Sequence, residues 1–235
     1  MKKWIDWLSR HTFITTCTIA LLLCVLVTIG YGAYNKIAYV RLLSQPITSK
    51  SGQHQSCITV AKFTNLAFET ALRKAINRTE GILFREELEM VNDLAMVDSA
   101  ELDDITDIAM LPNLENLAII NCSVQDITPL ASLDKLVNVH LCQNKIEDIT
   151  PLSRLQFVEV LDLSSNQIST LPPDMNGLKN LNLLVLDDNG LENLDHIEEI
   201  PVLEKLQVRH NHIEKLKILG PIPNLASLDV SNNPI

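Results

Sequence analysis

Glycine and aromatic residues are scarce in this chain of 235 residues, which contains 7 Gly, 5 Phe, 3 Tyr and 2 Trp. The few glycines form neither a phosphate-binding loop nor the G-x-S-x-G turn that presents a nucleophilic serine. His210 and His212 flank Asn211, but no cysteine or carboxylate joins them at metal-ligand spacing. The sequence therefore predicts a protein without enzymatic activity, cofactor or bound metal.

Basic residues are scarce beyond residue 50. The whole chain has 19 Lys and Arg against 29 Asp and Glu, for a net charge of −10. Residues 1–50 hold six basic residues and one acidic residue, which leaves 13 basic and 28 acidic residues in the remainder. Because nucleic acids and anionic lipids repel such an acidic surface, we exclude both as partners of this part of the chain.

Charged residues are absent from one long stretch, residues 12–35, whose centre is strongly apolar. About 20 apolar residues in a helix span a bilayer core of about 30 Å, so residues 12–35 predict a transmembrane signal anchor. More basic residues precede this stretch than follow it, which favours residues 1–11 as a cytoplasmic tail and an exported remainder. Residues 36–57, which follow this stretch, are predicted to form a polar linker.

A cleaved secretory signal is the alternative to an anchor. The apolar part of such a signal is about 7 to 15 residues long and ends at a small-x-small cleavage site. Gly30-Tyr31-Gly32 could serve as that site, although the apolar stretch here is longer. The sequence favours an uncleaved anchor and leaves cleavage open.

One pattern, L-x-x-L-x-L-x-x-N-x-I, fills the second half of the chain. Its six copies begin at Leu114, Leu136, Val158, Leu181, Leu203 and Leu225, at intervals of 22 or 23 residues. With the first residue of each copy taken as position 1, positions 4 and 6 are aliphatic in every copy, which predicts a short strand with one buried face. Each copy can bury these side chains only against its neighbours, so the copies must stack around a continuous core.

A repeat of this length and pattern resembles the leucine-rich repeat. The resemblance implies an α/β solenoid, a right-handed superhelix whose strands form a parallel concave sheet. Position 9 is asparagine in every copy except the first, which has Cys122. A buried amide is costly unless it is hydrogen-bonded, so we expect this column to pair with backbone groups. A thiol is a weaker donor, and we expect the turn of Cys122 to be held less firmly.

The stretches Asp126-Ile-Thr-Pro-Leu130 and Asp148-Ile-Thr-Pro-Leu152 resemble the repeats of bacterial internalin-like proteins. Residues 63–76, part of a segment 58–90, resemble the helical cap that precedes internalin repeats. The resemblance implies a protein-binding solenoid over residues 91–235. Its first turn is predicted to be irregular. Ile105 and Ile108 lie about four residues beyond the positions that the repeat pattern assigns to aliphatic residues, which indicates an insertion. We predict a helix from about Asn65 to Arg78 whose apolar face includes Leu66, Ala71, Leu72, Ala75 and Ile76.

Function is expected on the outward positions of the strands, where a protein partner can bind. Weakly polar, acidic and basic side chains follow one another along this face, and its apolar residues favour a protein over a glycan. An ordinary solvated face is the alternative. The candidate partner-binding residues are His140, Cys142, Val160, Asp162, Leu183, Val185, Asp187, Asp188, Lys205, Arg209 and His210.

Three alternatives to a membrane-anchored binding module remain open. The chain could be a secreted effector or adhesin with a cleaved signal, or a structural scaffold of an envelope complex. A polysaccharide-processing enzyme would need paired carboxylates, for which Asp162 and Asp187 are the candidates. Because no polar cap follows the last repeat, we also expect self-association through that repeat.

Overall fold

The computed structural model describes residues 59–216 and 222–235. The predicted tail, anchor and linker, residues 1–11, 12–35 and 36–57, lie outside the described residues. Within the described ranges, no helix combines the length and the apolar character that crossing a bilayer requires. The membrane anchor therefore stays a prediction.

Among the residues described from 59 onward, two helices precede the sheet, α1 (Leu66–Ala75) and α2 (Arg85–Leu88). The strands that follow are β1 (Asp93–Val97), β2 (Asn116–Ile120), β3 (Asn138–His140), β4 (Val160–Asp162), β5 (Leu183–Val185), β6 (Lys205–Gln207) and β7 (Ser227–Asp229). Within the described residues these strands form one parallel sheet in sequential order. Short 3₁₀ helices lie at Thr106–Met110, Thr128–Ser132, Thr150–Leu152 and Ile197–Glu199.

The strand register follows the repeat positions, so the predicted leucine-rich repeat solenoid with a parallel sheet is confirmed. Leu117 pairs with Val139 and Leu161 with Leu184, which aligns the position-4 residues of successive turns. The side chains at positions 4 and 6 are buried from β1 to β6. Leu228 of β7 is 38% exposed, because β7 is the last strand of the sheet. Burial of aliphatic columns between neighbouring turns therefore supplies the core.

The first turn is more regular than the sequence indicated. Leu94 pairs with Leu117 across 23 residues, so this turn has one residue more than the next, not four. Ser123 N–H donates to Leu102 O at 3.0 Å, as Lys145 N–H donates to Val124 O one turn later. Leu102 thus occupies the repeat position that Val124 has one turn later, and Ile105 occupies the position that Ile127 has. The side chains of Leu102 and Ile105 are both buried. The apparent shift of four residues was wrong, because it aligned Ile105 with the wrong position.

The asparagines at position 9 form a hydrogen-bonded ladder that joins each turn to the one before it. Asn189 Nδ2 donates to Leu163 O of the preceding turn and to Leu186 O and Asp187 O of its own, at 3.0 to 3.2 Å. Its Oδ1 accepts from Ile168 N–H at 3.0 Å. The same four kinds of bond recur at Asn144, Asn166, Asn211 and Asn233. The expected pairing of this column with backbone groups is confirmed.

Cys122 reproduces only half of this arrangement. Its thiol lies 3.5 Å from Ile120 O and 3.9 Å from Met96 O, which correspond to two of the carbonyls that an asparagine amide contacts. It offers no oxygen to the backbone of the preceding turn, where Leu102 N–H donates to Ser99 O instead. Because a thiol is a weak donor, this side chain ties β1 and β2 together less firmly than the asparagines tie later turns.

The residue before the ladder, position 8, has a left-handed backbone in every turn. These residues are Asp98, Asn121, Gln143, Ser165, Asp188, His210 and Asn232, with φ between 52° and 61°. Since a left-handed residue with a side chain costs roughly 1–2 kcal/mol, an independent interaction must hold each corner in place. In the last five of these turns the asparagine that follows, bonded to two turns, provides that interaction, whereas Ser99 follows Asp98 and Cys122 follows Asn121.

Helix α1 packs on the first turn through a face that shares Ala71, Leu72 and Ile76 with the predicted one but includes Phe68 in place of Leu66 and Ala75. Phe68, Ala71 and Leu72 are buried, whereas Leu66 is 77% exposed. The helix begins after Asn65, whose side chain accepts from Phe68 N–H at 3.0 Å. Leu66 therefore occupies the first position of the helix, where its side chain points away from the core, and the inclusion of Leu66 in the apolar face was wrong.

A buried carboxylate, Asp107, joins this helix to the repeats. It is 6% exposed and accepts hydrogen bonds from Thr64 N–H, Thr64 Oγ1 and Asn65 N–H at 2.7 to 3.0 Å. Asp107 stands in a 3₁₀ helix at the position where the next two turns have Pro129 and Pro151. The first turn therefore has an acceptor for the start of α1 where its neighbours have a proline.

Gly177 allows two turns to approach closely. A Cβ at this position would lie 2.3 Å from Ser153 O and 3.1 Å from Arg154 Cα, whereas a Cβ at Gly190 would lie no closer than 3.6 Å to any atom. Real Cβ atoms do not approach a carbonyl oxygen to 2.3 Å. The contact between the second and third repeats therefore requires glycine at residue 177 and not at residue 190.

We predict that Gly177→Ala lowers the free energy of unfolding by about 1–3 kcal/mol, because the backbone must move to relieve the overlap. Gly190→Ala is the matched control and is expected to stay within about 1 kcal/mol of the parent protein. Urea unfolding followed by circular dichroism measures both. Equal effects of the two substitutions would contradict the close approach at Gly177.

We predict that Asn189→Ala destabilises the chain by about 1–3 kcal/mol, because it leaves the buried Ile168 N–H without its acceptor. Asn176→Ala serves as the control, since the exposed Asn176 side chain lies outside the ladder. Hydrogen exchange at Ile168 N–H is the local measurement. Unchanged protection of that amide in Asn189→Ala would show that the ladder does not hold the corner.

Candidate binding face

The outward positions 3, 5 and 7 of the repeats form one face, here called the sheet face. The short strands hold these positions in register, so that neighbours along the face come from residues 22 or 23 apart. The aliphatic residues at positions 4 and 6 are buried beneath them and fix the backbone. The sheet face is therefore a rigid surface whose chemistry the exposed side chains decide.

The centre of the sheet face is apolar. Val160 of β4 pairs in register with Leu183 of β5, and Val185 lies two residues beyond Leu183 on the same side of its strand. All three side chains are half-buried. Ala118 and Ile120 of β2, also half-buried, extend the weakly polar surface toward the N-terminal end of the sheet. These residues provide the apolar contact area on the sheet face.

His140 and Asp162 stand side by side on β3 and β4. Asp162 pairs in register with His140, and their Oδ2 and Nδ1 atoms are 3.8 Å apart. Asp162 Oδ1 accepts from Ser164 N–H at 3.0 Å and from Ser164 Oγ at 2.7 Å, which fixes the carboxylate. Burial and the nearby Asp162 charge raise the pKa of the Cys142 thiol. Cys142 therefore contributes a neutral contact rather than a nucleophile.

Arg209 is held between two carboxylates. Asp187 is 4% exposed, and its Oδ2 accepts from Arg209 Nε at 2.9 Å and Nη2 at 2.6 Å. Its Oδ1 accepts from Arg209 N–H at 2.7 Å. Asp229 Oδ2 lies 3.8 Å from Nε on the other side. The hydrogen bond and the charge of Asp187 raise the pKa of Arg209, and hydrogen bonds from Ser231 lower that of Asp229.

The remaining predicted residues lie at the edges of the sheet face. Lys205 is exposed and pairs in register with Leu183. Asp188 and His210 are exposed at the left-handed corners, and His210 Nε2 lies 3.0 Å from Asn232 Nδ2. These three side chains remain accessible, whereas Asp187 is enclosed by Arg209.

Three further polar residues of the sheet face were not predicted as candidates from the sequence, namely Ser164, Asp229 and Ser231. Each serine donates through both its N–H and its Oγ to the aspartate two residues earlier, at 2.7 to 3.0 Å. The recurring D-x-S spacing at positions 5 and 7 was the available signal. It marks two aspartates whose orientation is fixed by the next outward residue.

The carboxylates of Asp162 and Asp187 do not form an isolated acidic pair. Asp162 is bonded by Ser164, and Asp187 accepts three hydrogen bonds from Arg209. Among residues 59–216 and 222–235, no group of three or more His, Cys, Asp and Glu side chains is placed to hold a metal ion. Both carboxylates are thus hydrogen-bonded to neighbouring side chains and backbone groups of the sheet face.

No protein-family model matches the chain. An internalin of Listeria monocytogenes aligns with a TM-score of 0.58 at 23% identity, over 73% of this chain and 57% of its own. Internalin C2 of the same organism aligns with a TM-score of 0.56 at 25% identity, over 74% of this chain and 86% of its own. A leucine-rich repeat protein of Leptospira interrogans aligns with a TM-score of 0.54 at 24% identity, over 63% and 40%. These likenesses support the leucine-rich repeat fold.

Curated proteins match over a shorter region. The alpha subunit of geranylgeranyl transferase type 2 from Homo sapiens is 33% identical over 69 residues, and the Pongo abelii protein gives the same identity over the same length. The alignment covers 28% of this chain and 12% of each of those proteins. The chain thus matches only a small part of these relatives.

We predict that Asp187→Ala destabilises the chain by about 1–3 kcal/mol, because it leaves the N–H of residue 209 and the guanidinium without their acceptor. Asp229→Ala removes an exposed partner of the same arginine and is expected to have a much smaller effect. Urea unfolding of both variants measures the difference. An equal loss in the two variants would contradict the view that Asp187 is the principal anchor of Arg209.

Proposed function

We propose that this chain is a non-catalytic protein-binding module that uses the sheet face. The observation that carries the proposal is the apolar centre of that face, formed by Val160, Leu183 and Val185 on a rigid parallel sheet. Apolar contacts surrounded by polar groups are typical of the central part of protein interfaces. A glycan would instead require a denser set of free polar groups.

The charges around this centre define the partner further. Asp162 and Asp188 lie on or beside the face, and Lys205 and His210 lie toward its later strands. Arg209 adds little net positive charge to the sheet face, since the carboxylates of Asp187 and Asp229 flank its guanidinium. The partner therefore presents an apolar patch with a basic group facing Asp162 and Asp188.

The proposed module is anchored in the membrane of a bacterial envelope by residues 12–35, with the repeats on the exported side. The uncharged stretch and the basic residues before it support this location. The bacterial origin of the internalin neighbours is consistent with it. Self-association through the last repeat is a further proposal, and sedimentation of the full chain over a range of concentrations tests it.

A secreted effector is the second candidate function, supported by the small residues Gly30 and Gly32 after the apolar stretch. N-terminal sequencing of the mature protein separates the two candidates. An anchored module begins near Met1, whereas an effector begins after Gly32. A scaffold of an envelope complex is distinguished by one partner that is recovered at constant stoichiometry in mild detergent.

We predict that Leu183→Glu weakens partner binding at least tenfold, because it places a charge in the apolar centre of the interface. The partner is first identified by crosslinking the full chain in its native membrane, and binding is then measured with the purified partner. Phe157→Glu is the control, since Phe157 is 57% exposed but lies before β4 and outside the sheet face. Loss of binding in Phe157→Glu alone would place the interface elsewhere.

A further inference from the structure

The chain contains two Asn-Gly dipeptides, Asn176-Gly177 and Asn189-Gly190. Asparagine is a thermolabile residue. It reacts when the backbone nitrogen of the next residue attacks its side-chain amide carbon. A following glycine has no Cβ to hinder that attack, so these two dipeptides are the most reactive sequence context for this chemistry in the chain. They lie in neighbouring parts of the same solenoid, but their environments differ.

Asn189-Gly190 is protected by the ladder. The Asn189 side chain is buried and makes four hydrogen bonds to two turns. The attacking atom would be the nitrogen of Gly190, whose N–H donates to Ile168 O at 2.9 Å. Both reacting groups are therefore held in their present places. Reaction at this dipeptide requires the corner of the turn to open.

Asn176-Gly177 lies outside the ladder, in a turn closed by a 3.1 Å bond from Leu178 N–H to Met175 O. The Asn176 side chain is exposed. Within the part of the chain that the structure describes, neither its amide nor the Gly177 N–H has a hydrogen-bond partner. The nucleophilic nitrogen and the side-chain amide are thus both uncommitted, in contrast to the pair at Asn189-Gly190.

We propose that Asn176 is a site of spontaneous deamidation. The Gly177 nitrogen bonds to the Asn176 Cγ, the Cγ–Nδ2 bond breaks, and the Gly177 proton leaves with the amide as ammonia. A five-membered succinimide remains. Solvent water then adds to either carbonyl of the ring and opens it, giving aspartate or isoaspartate. No oxidant or enzyme takes part, and each product gains one negative charge.

The isoaspartate product alters the packing of the third repeat. It reroutes the backbone through the side chain and adds one methylene group immediately before Gly177. Gly177 is the residue whose close approach to Ser153 O leaves no room for a Cβ. The displaced glycine cannot keep this contact, so isoaspartate at residue 176 loosens the second repeat from the third, next to β4 and β5.

The experiment compares the two dipeptides in one molecule. The full-length protein in mild detergent is incubated in mildly alkaline buffer, and tryptic peptides 155–179 and 180–205 are sequenced by mass spectrometry, because cleavage after Lys179 separates the two sites. Methylation by a protein isoaspartate methyltransferase reports the isoaspartate product. The same incubation in concentrated urea removes the protection that the fold gives to either site.

In the native protein we expect deamidation at Asn176 to be at least tenfold faster than at Asn189, and in urea we expect the two rates to converge. Asn176→Gln is expected to abolish methylation of peptide 155–179 without changing the fold. Equal native rates at the two asparagines would overturn the proposal. A native Asn176 rate far below its rate in urea would also overturn it, since packing at Gly177 would then block the attack.

Discussion

The asparagine ladder is the interaction on which the rest of this structure depends. Each turn ends its strand at a left-handed residue that is never glycine, and the conformational cost recurs in all seven turns. In the last five of these turns the next residue is an asparagine, which offsets this cost by bonding two turns at once. The carbonyl groups of Leu141, Leu163, Leu186 and Val208 each accept from two asparagines, so the bonds form a continuous line. The ladder fixes the pitch at which the aliphatic columns meet, and packing of these columns then supplies most of the stabilisation.

The same constraint explains why the sheet face is rigid. Its strands are only three residues long from β3 onward, too short to be stable alone. The buried columns and the ladder hold them, and the outward side chains are left free for other contacts. Two aspartates on this face are oriented by the next outward serine, and Arg209 is oriented by Asp187. Such pre-organised groups lose little conformational entropy on binding.

The sequence predicted those features that depend on the repeat itself. The strand positions, the buried columns and the structural asparagines follow from periodicity, because each repeated residue has the same environment. It did not predict features that depend on one contact between distant residues. Leu102 could be placed only by its bond to Ser123, and Phe68 replaced Leu66 on the buried face because Asp107 and Asn65 set where α1 begins. The burial of Asp187 depends on Arg209, 22 residues away in the next turn. A repeat pattern assigns both residues to the outward column and gives no information on whether they pair.

The two Asn-Gly dipeptides show how far local sequence and local chemistry can diverge within one fold. The dipeptides are identical, yet one lies at the ladder and the other lies five and six residues after Leu171, where the third repeat departs from the common pattern. The third repeat replaces the usual segment by Pro172, Pro173 and Asp174 and then relies on Gly177 for its contact with Ser153. Glycine at residue 177 permits the close approach to Ser153 O, but it lacks the Cβ that would hinder attack on the Asn176 side chain. Close packing and chemical stability therefore place opposite demands on residue 177. Residue 190 is under no such conflict, because a Cβ would fit there and the ladder holds Asn189 in place.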